Sequence, residues 1–208
     1  MTDRRPLSSR DIPFFQGIAR ALSRSGISPN AISVSSMFFA GAAGTAFWWT
    51  TQRPDQARWA WLAGAILVQL RLIANMLDGM VAIEGGKASP VGELYNEVPD
   101  RISDSAILIG VGLSAGGNLL LGMGAALAAM LTAYVRAVCK AAGAPQDFSG
   151  PMAKPHRMAL VTALGVAGCL APPEWRLATP VLWVILTGSL LTALRRLLHG
   201  ARDLRKGA

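Results

Sequence analysis

The sequence predicts an all-α, polytopic membrane protein with six transmembrane helices and an N-terminal interfacial amphipathic helix. Composition is the first observation behind this reading: of 208 residues, 52% are hydrophobic and only 15% charged, with a mean hydropathy of +0.38. Such values belong to the membrane class rather than to soluble domains. Second, the apolar residues fall into six runs, each near the roughly 20 residues that a bilayer core requires. Third, Lys and Arg collect on one set of the intervening loops. The length suits a single domain over 1–208, with a juxtamembrane segment at 1–27, a six-helix bundle at 28–199 and a basic tail at 200–208.

In chain order, Arg4, Arg5, Arg10, Arg20 and Arg24 alternate with Ile12, Phe14, Phe15, Ile18, Ala21 and Leu22, which recur at helical spacing. A basic amphipathic helix of this kind lies in the membrane interface. A secretory signal is not expected, because the first long apolar run begins near residue 31 and no cleavage site follows it. Ser28 or Asn30 caps the first span, with Pro29 marking the turn. The spans are placed at about 31–51, 58–83, 91–115, 118–143, 157–172 and 177–199. The six Trp residues sit mostly near span ends, as an aromatic belt does.

An even number of spans puts both termini and the second and fourth loops on one side. That side carries Arg4, Arg5, Arg10, Arg20, Arg24, Lys87, Lys154, Arg157 and the basic cluster at 195–206. The other side has little beyond Arg53, Arg58 and Arg176. The asymmetry orients both termini toward the cytoplasm in an inner membrane. A net charge of +8 invites a nucleic-acid reading, but the basic residues flank apolar segments and no nucleic-acid motif is present. Anionic membrane lipids are the expected counter-charge. Cys139 and Cys169 lie in apolar runs without metal or redox spacing and read as packing residues.

Acids interrupt two of these spans. At about 100° per residue, Glu93, Glu97, Asp100 and Asp104 fall within roughly a 60° sector of one helix, with Asn96 at its edge. Arg71, Asn75, Asp78 and Ala82 form a second stripe on the preceding helix. The glycine-rich linker at 84–89 is short, so the two runs form an antiparallel hairpin whose stripes meet at similar depth. Ionised groups at membrane depth are costly and mark functional sites. Clustered carboxylates repel unless a cation is present. With Asp, Glu and Asn and no Cys or His, the donors suit hard Mg²⁺ or Mn²⁺ rather than zinc. Such an ion commonly clamps phosphate oxygens. Gly79, Ala82 and Gly92 leave room beside the acids for the flat groups of a ligand. The plainer alternative is a pair of small-residue packing positions with incidental acids.

Basic residues follow. Arg136 and Lys140 share a face of the fourth span, and Lys154 and Arg157 lead into the fifth. They bind anionic oxygens, or snorkel to lipid phosphates. The Gly85-Gly86-Lys87 turn reads as a helix C-cap, with Lys87 placed to draw in an anionic nucleotide. Pro99 opens the turn at Tyr95, either freeing a carbonyl toward the acids or making an ordinary kink.

The hairpin resembles the CDP-alcohol phosphatidyltransferase pattern D-x2-D-G-x2-A-R-x8-G-x3-D-x3-D. Asp78, Gly79, Ala82, Gly92 and Asp100 match at full spacing, whereas Asn75, Ile83 and Asn96 replace Asp, Arg and Asp. The segment from Gly26 to Ser33 is similar to the family's entry into its first membrane helix, and the resemblance runs from about residue 26 to residue 157. It implies that a divalent ion held mainly by Asp78 and Asp100, with amide oxygens of Asn75 and Asn96, grips the diphosphate of a CDP-linked donor such as CDP-diacylglycerol. Asp100 would take the proton of a hydroxyl acceptor, and CMP would leave. Glu97 and Asp104 are candidates to restore the lost ligand charge, and Arg71 to replace the Arg missing at Ile83. Gly79, Ala82, Gly92, Lys87 and Arg71 then fall to the donor nucleotide, and Arg136, Lys140, Lys154 and Arg157 to the acceptor and its phosphate. The resemblance also implies a homodimer. An intramembrane prenyltransferase, a transporter and an inactive homologue with a modified metal site are the alternatives.

Overall fold

The computed structural model describes residues 12–85 and 90–207. Arg4, Arg5, Arg10 and Lys87 therefore lie outside the described residues. The elements are α1 (Pro13–Arg24), α2 (Pro29–Gln52), α3 (Ala57–Glu84), α4 (Pro90–Leu113), α5 (Leu119–Ala141), α6 (Lys154–Leu170) and α7 (Ala178–Gly207). Short 3₁₀ turns at Pro54–Gln56 and Pro173–Trp175 precede α3 and α7. No strand occurs among the described residues.

Local chemistry sets the starts of several helices. The Ala31 amide donates to the Ser28 hydroxyl at 3.2 Å, with Pro29 in the first turn of α2. The Leu121 amide likewise donates to Asn118 Oδ1 at 3.0 Å and caps α5. Each cap satisfies one of the donors that a helix start leaves unpaired. α7 runs on to Gly207, so the segment expected as a basic tail from residue 200 continues the last helix. Nothing in the sequence from Ala201 to Lys206 breaks a helix, and the basic last turn suits the negative end of its dipole.

Among the described residues, four helical segments are long and apolar enough to cross a membrane: Pro29–Gln52, Pro54–Glu84, Leu119–Ala141 and Ala178–Lys206. The other two predicted spans differ for physical reasons. α4 carries Glu93, Glu97, Asp100, Arg101 and Asp104 in its first half, and α6 has only 17 residues. α1 is a helix over Pro13–Arg24. It lays Phe15, Ile18, Ala19 and Leu22 against Ala74, Leu77 and Val81 of α3.

α2 packs closely on both α3 and α4, α3 on α6, α4 on α5 and α5 on α7, whereas α3 and α4 touch each other little. At the end of the bundle where α2 finishes, the helices meet through small residues. A Cβ on Gly44 would stand 2.6 Å from the Ala106 carbonyl oxygen, and Gly110 faces Gly44 across the same contact. Close backbone approach of this kind is how apolar helices associate in lipid. Phe47 and Trp61 fill the adjoining core, with ring centroids 5.5 Å apart, alongside Leu108, Val161 and Leu182. The opposite end holds the polar stripes.

Candidate active site

Because α3 and α4 stand apart, the space between them is bridged by side chains rather than by backbone contact. Asn75 Nδ2 donates to Asn96 Oδ1 at 3.0 Å. Four residues back along α3, Arg71 Nη2 donates to Asp100 Oδ1 at 2.9 Å, four residues forward along α4. The two stripes thus meet in antiparallel order, with Asn75 opposite Asn96 and Arg71 opposite Asp100. Arg71 Nη2 also lies 2.8 Å from Asp104 Oδ1.

Each neighbouring helix adds a charge or a hydroxyl to this gap. From α2, Ser33 Oγ donates to Asp78 Oδ2. From α6, Lys154 Nζ donates to Asn75 Oδ1 at 2.6 Å and to Asp100 Oδ2. Arg157 Nη2 reaches Asp104 Oδ2 at 3.2 Å, while its Nη1 donates to the Met152 carbonyl at 2.8 Å. From α5, Arg136 pairs with Glu97 and lies 4.9 Å over the Phe148 ring, a cation–π arrangement. Arg101 Nη2 closes the rim, 3.3 Å from Glu97 Oε2 and 3.6 Å from Asp100 Oδ2.

Among the described residues, Arg71 and Arg157 are the largest fully buried side chains, at 0% and 1% exposure. A buried charge without a partner costs several kcal/mol, which explains why Asp104 stands between the two guanidinium groups. Arg71, expected to stand in for the Arg missing at Ile83, is fully buried, whereas Ile83 is 58% exposed and lies about 18 Å further along α3. Arg157, expected to bind the acceptor's phosphate, bonds Asp104 and the Met152 carbonyl. Asp104 and Glu97, expected to restore ligand charge, are likewise engaged by arginines. Ala82 is buried and Gly79 half-buried on the Asp78 side of α3, Gly92 is half-buried near the start of α4, and Lys140 is exposed one turn beyond Arg136.

Several contributors escaped the sequence reading. Ser33 stood in the helix entry, but nothing in its spacing named Asp78 as its partner. Arg101 was visible through its i, i+4 relation to Glu97. Arg196 counted only as a basic residue of one membrane face. It is in fact buried and donates to the Ser149 carbonyl at 3.0 Å and the Thr132 carbonyl at 2.9 Å. It thereby fastens the 142–153 loop, which carries Phe148 and leads into Lys154. The same loop is tied by the Met152 amide donating to Thr192 Oγ1 at 2.9 Å, and by Asp147 facing His199 at 3.2 Å. Burial alone would raise the Asp147 carboxyl, but hydrogen bonds from Ser149 and His199 outweigh it and hold it below its ordinary value.

Among the described residues, no three Asp, Glu, His or Cys side chains converge as a metal-binding group. The candidate ligand atoms in the gap are oxygens: carboxylates of Asp78 and Asp100, and amides of Asn75 and Asn96, which accept from Lys154 and from Asn75. Two carboxylate charges and hard donors fit one divalent ion of the Mg²⁺ or Mn²⁺ type.

The sequence model of the CDP-alcohol phosphatidyltransferase family matches residues 27–194. Phosphatidylinositol phosphate synthase of Mycolicibacterium smegmatis is 27% identical over 193 residues, covering 89% of this chain and 82% of that one. A crystal structure of Mycobacterium tuberculosis phosphatidylinositol phosphate synthase with CDP-DAG bound superposes with a TM-score of 0.74 at 24% identity, covering 91% of this chain and 94% of the other. A second structure of that enzyme, with manganese and citrate, also gives 0.74 at 24% identity, over 90% and 88%. The chain belongs to the CDP-alcohol phosphatidyltransferase family. It is an integral membrane transferase of phospholipid synthesis, which sets aside the prenyltransferase and transporter readings.

Proposed function

We propose that the gap between α3 and α4 transfers a phosphatidyl-type group from CDP-diacylglycerol to a hydroxyl acceptor that itself bears phosphate, with release of CMP. The observation that carries this is the Asp100 carboxylate held in one polar gap by Arg71, Lys154 and Arg101, with Arg136 on Glu97 beside it. Such a gap suits a ligand with several anionic oxygens. The CDP-DAG bound in one related structure and the names of the related synthases support the donor and the phosphorylated acceptor.

Asp78, with the Asp100 carboxylate, would hold one divalent ion, Mg²⁺ or Mn²⁺, while the amides of Asn75 and Asn96, bonded to Lys154 and to each other, would line the site. Bound there, it would neutralise charge on the donor diphosphate. Asp100 accepts the proton of the acceptor hydroxyl. The freed oxygen bonds to the phosphorus that carries the lipid as the bond from that phosphorus to CMP breaks. Arg71 and Lys154 hold the Asp100 carboxylate from two sides and so fix its direction. Positioning dominates phosphoryl transfer, and a general base adds about 10²–10⁴-fold. Gly79, Ala82 and Gly92 leave space for the nucleotide. Arg136 and Lys140 are assigned to the acceptor's phosphate, with Arg157 acting behind them through Asp104.

The arrangement in the membrane follows the same reading. α2 to α7 cross it as six spans, α1 lies in the interface, and both termini and the gap face the cytoplasm. A homodimer belongs to the proposal through the family resemblance. The test is CMP release by purified protein given CDP-diacylglycerol, Mn²⁺ or Mg²⁺ and a panel of acceptors with and without phosphate. Release that needs the ion and is fastest with a phosphorylated polyol is expected. Release indifferent to every acceptor would overturn the assignment.

A further inference from the structure

Charge in the gap does not follow the motif that the hairpin resembles. That motif has acids at positions 75, 78, 96 and 100; this chain keeps two of the four and has Asn at the others. The two substitutions remove two negative charges, which is the compensation one divalent ion requires. Meanwhile the structure gathers four carboxylates (Asp78, Glu97, Asp100 and Asp104) with five cations (Arg71, Arg101, Arg136, Lys154 and Arg157). The cluster is net positive before any ion or substrate arrives.

Lys154 occupies a particular place in this arrangement. Its ammonium bonds Asn75 Oδ1 at 2.6 Å and Asp100 Oδ2, one motif position on α3 and one on α4. The Asn75 amide, fixed by that bond, donates to Asn96 at 3.0 Å, so both substituted positions belong to one chain of contacts ending on Lys154. The lysine side chain is 17% exposed and reaches the gap from the first residue of α6. A lysine ammonium is a compact point charge with several donors, and here it bridges α3 and α4 as a coordinated ion would. Asp78 is held from the other side by Ser33 and lies within electrostatic range of both Asp100 and Lys154.

We propose that Lys154 is a resident cation of this site, bridging Asn75 and Asp100, so that the chain takes a single divalent ion beside Asp78. This rests on the reading of the gap as a transfer site and specifies its cation content. An Asn at position 75 belongs with the lysine: a neutral amide oxygen accepts from the ammonium while leaving Asp100 as its one carboxylate partner.

The test is Mn²⁺ binding to the full-length, detergent-solubilised protein without donor or acceptor, followed by the electron paramagnetic resonance signal of free Mn²⁺. Wild type is expected to bind one Mn²⁺ per chain. Lys154→Met, which removes a like charge from the ion's neighbourhood, is expected to bind Mn²⁺ about tenfold more tightly. Two ions per wild-type chain, none at millimolar Mn²⁺, or a Lys154→Met affinity equal to or weaker than wild type would each overturn the proposal. Wild-type stoichiometry decides alone if the variant does not fold. No substrate is present, so a failure here leaves the transfer reading to be judged separately by CMP release.

Discussion

The two ends of the helix bundle are held together by opposite means. Around Gly44, Gly110, Phe47 and Trp61, apolar helices approach until α2 and α4 meet backbone to backbone. Around Asp100, α3 and α4 stand apart, and ion pairs span the space. Small residues and rings fill volume and leave no room for a ligand. Paired charges keep a gap open while fixing the directions of the groups that line it. Buried ion pairs add little net stability over well-packed apolar residues, yet removing one partner is costly. The polar end is therefore best understood as a site that the apolar end supports.

Removing one buried arginine should give the largest effect on stability. Arg71→Met strips Asp100 of one partner and leaves Asp104 with Arg157 alone, and is expected to cost about 3–5 kcal/mol, seen as a lower unfolding midpoint in detergent. At the apolar end, Gly110→Val places methyl groups against the Gly44 backbone and is expected to cost about 1–3 kcal/mol. Its CMP release per folded molecule should stay near wild type, because the lesion lies at the far end of the bundle. Equal loss of specific activity in both variants would erase the distinction between the two ends.

How far this division could be read from the sequence depends on the range of each contact. The antiparallel hairpin and the similar depth of its two polar stripes follow from helical periodicity and one short linker, whereas the pairing of Asn75 with Asn96 shows only in the structure. The separation of α3 from α4 was not legible either, because it depends on α2 packing against both. Lys154 and Arg157 were visible as basic residues at a helix start. Their partners, 54 and 53 residues away, depend on how α6 docks against the hairpin. Arg196 was counted for its charge, while its role depends on a loop 47 residues distant in sequence.

Smaller perturbations sharpen the comparison. Ser33→Ala removes the hydroxyl that holds Asp78, a bond to a charged group of the sort worth about 1.5–3 kcal/mol. It should weaken Mn²⁺ binding several-fold while changing the unfolding midpoint less than Arg71→Met does. Least of all is expected from Asp147, which ties the 142–153 loop to α7 at the protein surface. Its carboxyl is held below its ordinary value of 3.8 in the folded chain. Its contribution is therefore fully present above that value and lost as pH falls through the lower folded value. The difference in midpoint between wild type and Asp147→Asn should be small near neutrality and vanish in acid; a difference that grows toward acid would reverse the sign.

The most direct test of the account is CMP release from CDP-diacylglycerol by Asp100→Asn beside wild type, at saturating Mn²⁺ and with the acceptor that wild type prefers. A folded Asp100→Asn protein that releases CMP at least about 10²-fold more slowly is the predicted result. Release at the wild-type rate would contradict it, and would move the chemistry out of the gap between α3 and α4.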